Sequence, residues 1–214
     1  MITPHLLPQI ITAIAAVIEN NAEEVTLLDQ AIGDGDHVIN LQRGLQALVL
    51  QQEELSQLDW PKAWQKIGMT LMSSVGGASG SLYATLFMAL SKTHVELDVS
   101  LQSFSNAFSA AVDAVKKRGK SDAGEKTLLD VYIPVANYLK SVTNVEIDLA
   151  TLLNEVSAVA IRGMESTRDM LATKGRASFL EERSLGHIDA GAKTAQLMIC
   201  TIVDILVKQL ATPA

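Results

Sequence analysis

The sequence predicts an all-α fold, a single domain of about eight helices spanning residues 1–214. Three observations carry this expectation. Apolar residues recur at helical spacing along most of the chain. Aromatic residues make up only 4% of it, and no alternating run of β-branched residues is bounded by a hairpin turn. The helical pattern stops only at four Gly-rich or charge-rich stretches, with no repeat and no low-complexity linker.

Taken in order, Thr3-Pro4 starts the first helix, on which Ile10, Ile14, Val17 and Ile18 form one stripe. Helices over 22–28 and 37–51 follow. Asp59-Trp60-Pro61 opens another that runs to Ser73, and 80–93 forms the next. Ser100 is placed to cap a helix with Leu101, Phe104, Phe108, Ala111, Val112 and Val115 on one face. Lys116-Lys117-Arg118 gives that helix a basic last turn, and Gly119 terminates it. A helix over 127–140 follows; Asp148 caps a long one with Leu149, Leu152, Leu153, Val156, Val159 and Ala160 facing inward, and 190–210 is the last.

The charge balance narrows the function. Seventeen Lys and Arg against 24 Asp and Glu leave a formal charge of −7, which gives no general attraction to nucleic acid or to an anionic membrane. The single cysteine, Cys200, cannot form an internal disulfide and is expected as a buried thiol in the apolar run 197–203. Met1–Asn20 has neither a basic n-region nor a small-residue cleavage pattern. No stretch reaches the roughly 18 uninterrupted apolar residues of a membrane helix; Asp204 and Lys208 break the segment 195–210. A cytoplasmic protein is expected.

The four interruptions are Asp29–His37, Val75–Gly80, Gly119–Thr127 and Lys174–Gly191. In an up-and-down bundle alternate connections fall at the same end, so four such loops can converge on one site. Asp29, Asp34 and Asp36 concentrate three carboxylates in eight residues, and a hard cation such as Mg²⁺ or Ca²⁺ is the natural compensation. In an extended backbone Asp34 and Asp36 project to one side. The plainer alternative has Asp36 capping the helix at His37, with the other two as solvated turn residues. His37 is either a phosphate donor or a supporting residue. Val75-Gly-Gly-Ala-Ser-Gly80 exposes backbone N–H groups at a helix start, an anion site, or else merely places a Ser79 cap with glycines for close packing. Gly119-Lys-Ser-Asp-Ala-Gly-Glu-Lys-Thr127 nearly spells a P-loop, but Glu125 separates the second Gly from Lys126-Thr127 and a helix precedes it, so that reading is rejected. In the last stretch Arg176 is a candidate phosphate ligand, Asp189 a helix cap or ribose contact, and Arg183 a partner for Glu181 or Glu182. His5 and His94 carry no motif.

Four segments together resemble the dihydroxyacetone kinase L subunit, over essentially the whole chain. They are Ile32-Gly-Asp-Gly-Asp-His37, Ser74-Val-Gly-Gly-Ala-Ser-Gly80, Arg118-Gly-Lys120 with Gly124-Glu-Lys-Thr127, and Lys174-Gly-Arg-Ala-Ser178 with Glu182-Arg-Ser-Leu-Gly-His187. The resemblance implies a barrel of eight antiparallel helices holding ADP (or ATP) and two Mg²⁺ at one end. It assigns Asp29, Asp34 and Asp36 to the metal. It assigns His37, Val38, Ile39, Asn40, Ala78, Ser79, Gly119, Leu128, Arg176, Asp189, Ala190 and Gly191 to the nucleotide. The chain departs from the family pattern at Val38 (usually Gly), Ser81 (Pro), Ala84 (Gly), Glu181 (often Gly) and Ala190 (often Pro).

Length bears on the mechanism so implied. A kinase of this family needs a K unit that holds the ketose covalently on its own histidine, and 214 residues leave no room for it. Stand-alone L subunits typically belong to the phosphotransferase-system version. There bound ADP is phosphorylated by a phosphohistidine protein, the M subunit, and passes the phosphoryl group to dihydroxyacetone on K. The alternatives are an ATP-dependent subunit for another ketose or tetrulose, and a regulatory protein acting on a transcription regulator.

Overall fold

The computed structural model of the chain describes residues 3–93 and 100–211, and His94 lies outside them. Ten α-helices follow one another among the described residues, with no strand. They are α1 (Leu7–Asn20), α2 (Ala22–Ile32), α3 (His37–Val49), α4 (Gln52–Ser56), α5 (Trp60–Ser74), α6 (Gly77–Thr93), α7 (Leu101–Gly119), α8 (Leu129–Ser141), α9 (Leu149–Ser166) and α10 (Ala190–Ala211).

Local chemistry sets several boundaries. Asp59 Oδ1 accepts the Lys62 N–H at 2.9 Å, Ser100 Oγ that of Ser103 at 3.0 Å, and Asp148 Oδ1 that of Thr151 at 2.9 Å. Each satisfies an N–H that the first turn leaves without a partner. Other boundaries depart from the sequence pattern. Helix α2 runs four residues past the expected 28 because Ile32 is buried against Ala172 and Ala177 of a distant loop. α3 stops at Val49 and the unanticipated α4 follows, while α6 begins at Gly77 rather than at 80. Gly119 does not terminate α7; Lys120 takes the left-handed position after it, with φ 49°.

Eight helices form a closed ring, each packed on the next in the order α1, α3, α5, α6, α7, α8, α9, α10 and back to α1. Inward stripes of Leu, Ile, Val and Ala fill one continuous core, including Ile18, Leu41, Ile67, Leu86, Val115, Val131, Val156 and Val203. α2 prolongs α1 across a bend, the ladder continuing through Asn21, whose N–H reaches Val17 O at 3.1 Å. α4 turns the corner between α3 and α5 against α1. Where α8 and α9 meet, Gly163 lies under the Asp130 carbonyl, which a Cβ would strike. α10 is long and apolar enough to cross a membrane by length and composition alone, yet here it is one stave of the ring, between α1 and α9. Cys200 on α10 is only half-buried, correcting the expected buried thiol.

Because the chain reverses at each connection, residues 33–36, 75–76, 120–128 and 167–189 gather at one end of the ring.

Candidate functional site

Those four connections enclose a cavity of about 600 Å³, lined by residues from all of them. The acidic wall is built by the last turn of α2 and the bend after it. Gly35 turns the chain with φ +76°, so the backbone through Asp34 and Asp36 is bent, not extended as the two-residue spacing suggested. Asp29, Asp34 and Asp36 nevertheless each present an oxygen within 4.8 Å of the others. Asp36 makes no cap hydrogen bond to α3. Asp29 Oδ2 takes the His37 N–H instead, at 3.1 Å, so the cap comes from the preceding helix. Like charges this close repel one another, though water at the exposed Asp34 and Asp36 screens them. One cation answers them among the described residues: Arg176 Nε stands 2.5 Å from Asp34 Oδ2. An all-oxygen, net-negative set of this kind fits a hard divalent cation.

Behind this wall Tyr83, Thr194, His37 and Ser79 form one hydrogen-bonded chain. Thr194 Oγ1 donates its only proton to Gly191 O at 3.1 Å. It therefore accepts from its two other partners, Tyr83 Oη at 3.1 Å and His37 Nε2 at 2.9 Å. His37 Nδ1 meets Ser79 Oγ at 3.2 Å. Both ring nitrogens are engaged within the protein, so the imidazole supports Ser79 and Thr194 rather than meeting a ligand, and burial favours its neutral form. Burial pushes the His37 pKa down, against the opposing fields of Asp29 and Asp36. Tyr83, fully enclosed, has its pKa pushed up to about 12 by burial. Ser79 Oγ serves His37 rather than capping α6.

The start of α6 supplies the next wall. Gly77 has φ +69°, which favours glycine, and a Cβ on Gly76 would lie 2.5 Å from Asn40 Oδ1, so a larger residue there would push the Asn40 side chain aside. The first-turn N–H groups of α6 lie at the cavity edge, where an anion is favoured. An apolar part follows from Leu82, Val115, Leu128 and Leu129. The cavity thus suits a ligand with anionic oxygens at one end and a flat apolar group at the other.

The connection 167–189 closes over the site. It has its own small core, Ile32, Ala172 and Ala177 with Leu180 against them, which brings Arg176 to Asp34. Asp189 caps α10, Oδ2 accepting the Ala192 N–H at 2.8 Å. The residue keeps some exposure at the cavity wall, but protein surrounds its carboxyl, and that burial raises its pKa to about 7. Arg183 is exposed and makes no ion pair among the described residues, so the expected bridge to Glu181 or Glu182 is absent. Lys126 of the near-P-loop segment turns its ammonium to backbone carbonyls of this connection.

Of the residues singled out from sequence, Asp29, Asp34, Asp36, His37, Asn40, Ala78, Ser79, Gly119, Leu128, Arg176, Asp189, Ala190 and Gly191 all line the cavity. Val38 and Ile39 do not: Val38 packs into the core and Ile39 is 59% exposed, because successive helical residues cannot share a face. Sequence reading missed Thr194 and Tyr83, which sit inside helices whose pattern signals only core. It passed over Arg118 and Lys174 as lining residues, although both stand at the head of segments it quoted.

Residues 31–204 match the DAK2 domain family. The chain is 41% identical over 181 residues to the ADP-binding subunit of PEP-dependent dihydroxyacetone kinase 1 of Listeria innocua, covering 85% of this chain and 86% of that one. It is 36% identical over 190 residues to the corresponding Escherichia coli subunit, covering 88% and 90%. The fold matches the crystal structure of the C. freundii dihydroxyacetone kinase in complex with AMP-PNP and Mg²⁺, with a TM-score of 0.70 at 19% identity. That match covers 94% of this chain but spans only 34% of the longer enzyme.

Proposed function

The chain belongs to the DAK2-domain family of dihydroxyacetone kinase L subunits, and from that premise we propose that it is the ADP-carrying subunit of a phosphotransferase-system-dependent dihydroxyacetone kinase. One observation carries the reading. Three carboxylates converge within 4.8 Å on a cavity whose other walls offer helix-start N–H groups, a guanidinium and an apolar surface. A nucleoside diphosphate needs all four features.

In this reading Asp29, Asp34 and Asp36 would hold two Mg²⁺, and the ions would supply charge neutralisation for the phosphate oxygens. Asn40, Ala78 and Ser79 present backbone and side-chain dipoles to the phosphates, Arg176 caps them, and Leu128 and Gly119 face the base. Phosphoryl transfer asks the protein mainly for in-line positioning and charge neutralisation, and the residues here are of that kind, with no nucleophile among them. Both reacting partners come from other chains: a phosphohistidine M-type subunit as donor, and a K-type subunit presenting dihydroxyacetone. The assembly works in the cytoplasm, where the phosphotransferase system delivers its phosphoryl groups.

Native mass spectrometry of the purified chain is expected to find ADP with two Mg²⁺. Asp36→Asn should weaken retention roughly 100-fold, as loss of one charged ligand worth ~3 kcal/mol predicts. It should abolish sugar phosphorylation in a reconstituted three-subunit assay while leaving the helical circular dichroism unchanged. Undiminished transfer by that variant would refute the assignment.

A further inference from the structure

Lys126 is the largest of the fully buried side chains, with 1% of its surface exposed. Its ammonium meets four backbone carbonyls and, among the described residues, no carboxylate: Thr167 and His187 at 2.5 Å, Met170 at 3.3 Å and Arg168 at 3.5 Å. Thr167 and Arg168 follow directly on α9, where unpaired carbonyls concentrate the negative end of the helix dipole. The Lys126 backbone sits at φ +61°, a conformation that glycine adopts more readily, so the side chain is what the position requires.

The carbonyls belong to the two ends of the α9–α10 connection, so the ammonium ties its neck shut. Gly186 N–H to Arg168 O at 2.8 Å and Asp189 N–H to Thr167 Oγ1 at 3.1 Å close the same neck. On the outer side the adjacent Glu125 takes the Thr173 hydroxyl at 3.0 Å and pairs with Lys174 at 3.3 Å, just before Gly175-Arg176.

We propose that Glu125 and Lys126 form a two-sided clamp that holds the α9–α10 connection over the cavity, and that through it they position Arg176 and Asp189 for the ligand. The clamp stands on the geometry alone; its effect on ADP binding rests on the nucleotide reading above. Neither residue is a catalytic group. The near-P-loop segment thus acts on a neighbouring loop of the chain instead of on a phosphate.

Hydrogen exchange read by mass spectrometry on the full chain, with and without ADP and Mg²⁺, tests this. In ligand-free Glu125→Ala, amides between 170 and 188 should exchange about tenfold faster while α5 and α6 keep wild-type rates. Saturating Mg–ADP should restore their protection, and calorimetric affinity should fall about tenfold, because binding must now order the loop. Lys126→Met should give a larger effect in the same segment. Local acceleration in Glu125→Ala supports the clamp even where Lys126→Met fails to fold. Wild-type exchange across 170–188 in Glu125→Ala, or acceleration spread equally over every helix, overturns it. Where the wild type itself binds no Mg–ADP, the nucleotide reading fails while ligand-free exchange still decides the clamp.

Discussion

At the scale of single residues, Glu181 and Asp189 show why side chains in the α9–α10 connection cannot be read one at a time. Glu181 interrupts the 3₁₀ turns between Arg176 and Ser184 with φ 50° and ψ −128°, a region that glycine enters freely and other residues do not. Glycine, the residue that the resemblance leads one to expect there, would take this backbone without strain. Ala190 is the first residue of α10, where the proline that the resemblance leads one to expect would fit, since the first turn has no intrahelical partner for that N–H. Asp189 carries a pH signature. Its pKa is about 7 in the folded chain against 3.8 for a free side chain, so the folded state binds more protons across that interval. Stability therefore falls as pH rises from 3.8 to about 7. Asp189→Asn keeps an acceptor for the Ala192 N–H and removes the charge. Its melting temperature should vary less with pH over this range than that of the wild type. An unchanged slope would show that Asp189 is not the group responsible.

At the scale of elements, what could be foreseen depended on how local the determinant was. The caps at Asp59, Ser100 and Asp148 bond to N–H groups three residues away, and the sequence declared all three. The start of α3 looked equally local, with Asp36 in the cap position, but its N–H partner is Asp29, eight residues back. No propensity argument reaches that choice, because it depends on α2 continuing to Ile32, and α2 continues because a distant loop covers Ile32. Packing between elements has the same character. Gly163 reads from sequence as a weak point in α9, yet it lets α9 approach the backbone of α8. Gly163→Ala should destabilise by about 1–3 kcal/mol, because a backbone carbonyl cannot move aside as a flexible side chain would. The measurement is the urea midpoint at unchanged m-value; a rise in midpoint, as helix propensity alone predicts, would contradict the close contact.

For the whole molecule, closing eight helices into a ring is what makes four separate loops into one site. The formal charge of −7 is unfavourable for a phosphate ligand, and the site answers it locally with Arg176 and the start of α6 in place of an overall field. Three carboxylates gathered at one end also store repulsion that a bound cation relieves, so ligand and fold should be linked. Mg–ADP at a hundredfold excess over its Kd should add ~2.7 kcal/mol to stability. Thermal unfolding with ADP and Mg²⁺, against ADP with a chelator, measures this. A shift of equal size in both would mean the carboxylates do not bind nucleotide through metal.

The helical class, most of the helices, the three cap residues and the acidic cluster were determined by the sequence itself, since each follows from residue spacing or from contacts within one turn. The resemblance to the L subunits was equally legible, because its motifs are short and contiguous. Tertiary structure alone decided the bent path that gathers the three carboxylates, the burial of His37 between Thr194 and Ser79, and the exclusion of Val38 and Ile39 from the cavity. It also gave Lys126 its place in a cage of carbonyls. Each of these depends on partners tens of residues away or more, or on which face of a helix the ring turns inward, and neither is encoded in local spacing.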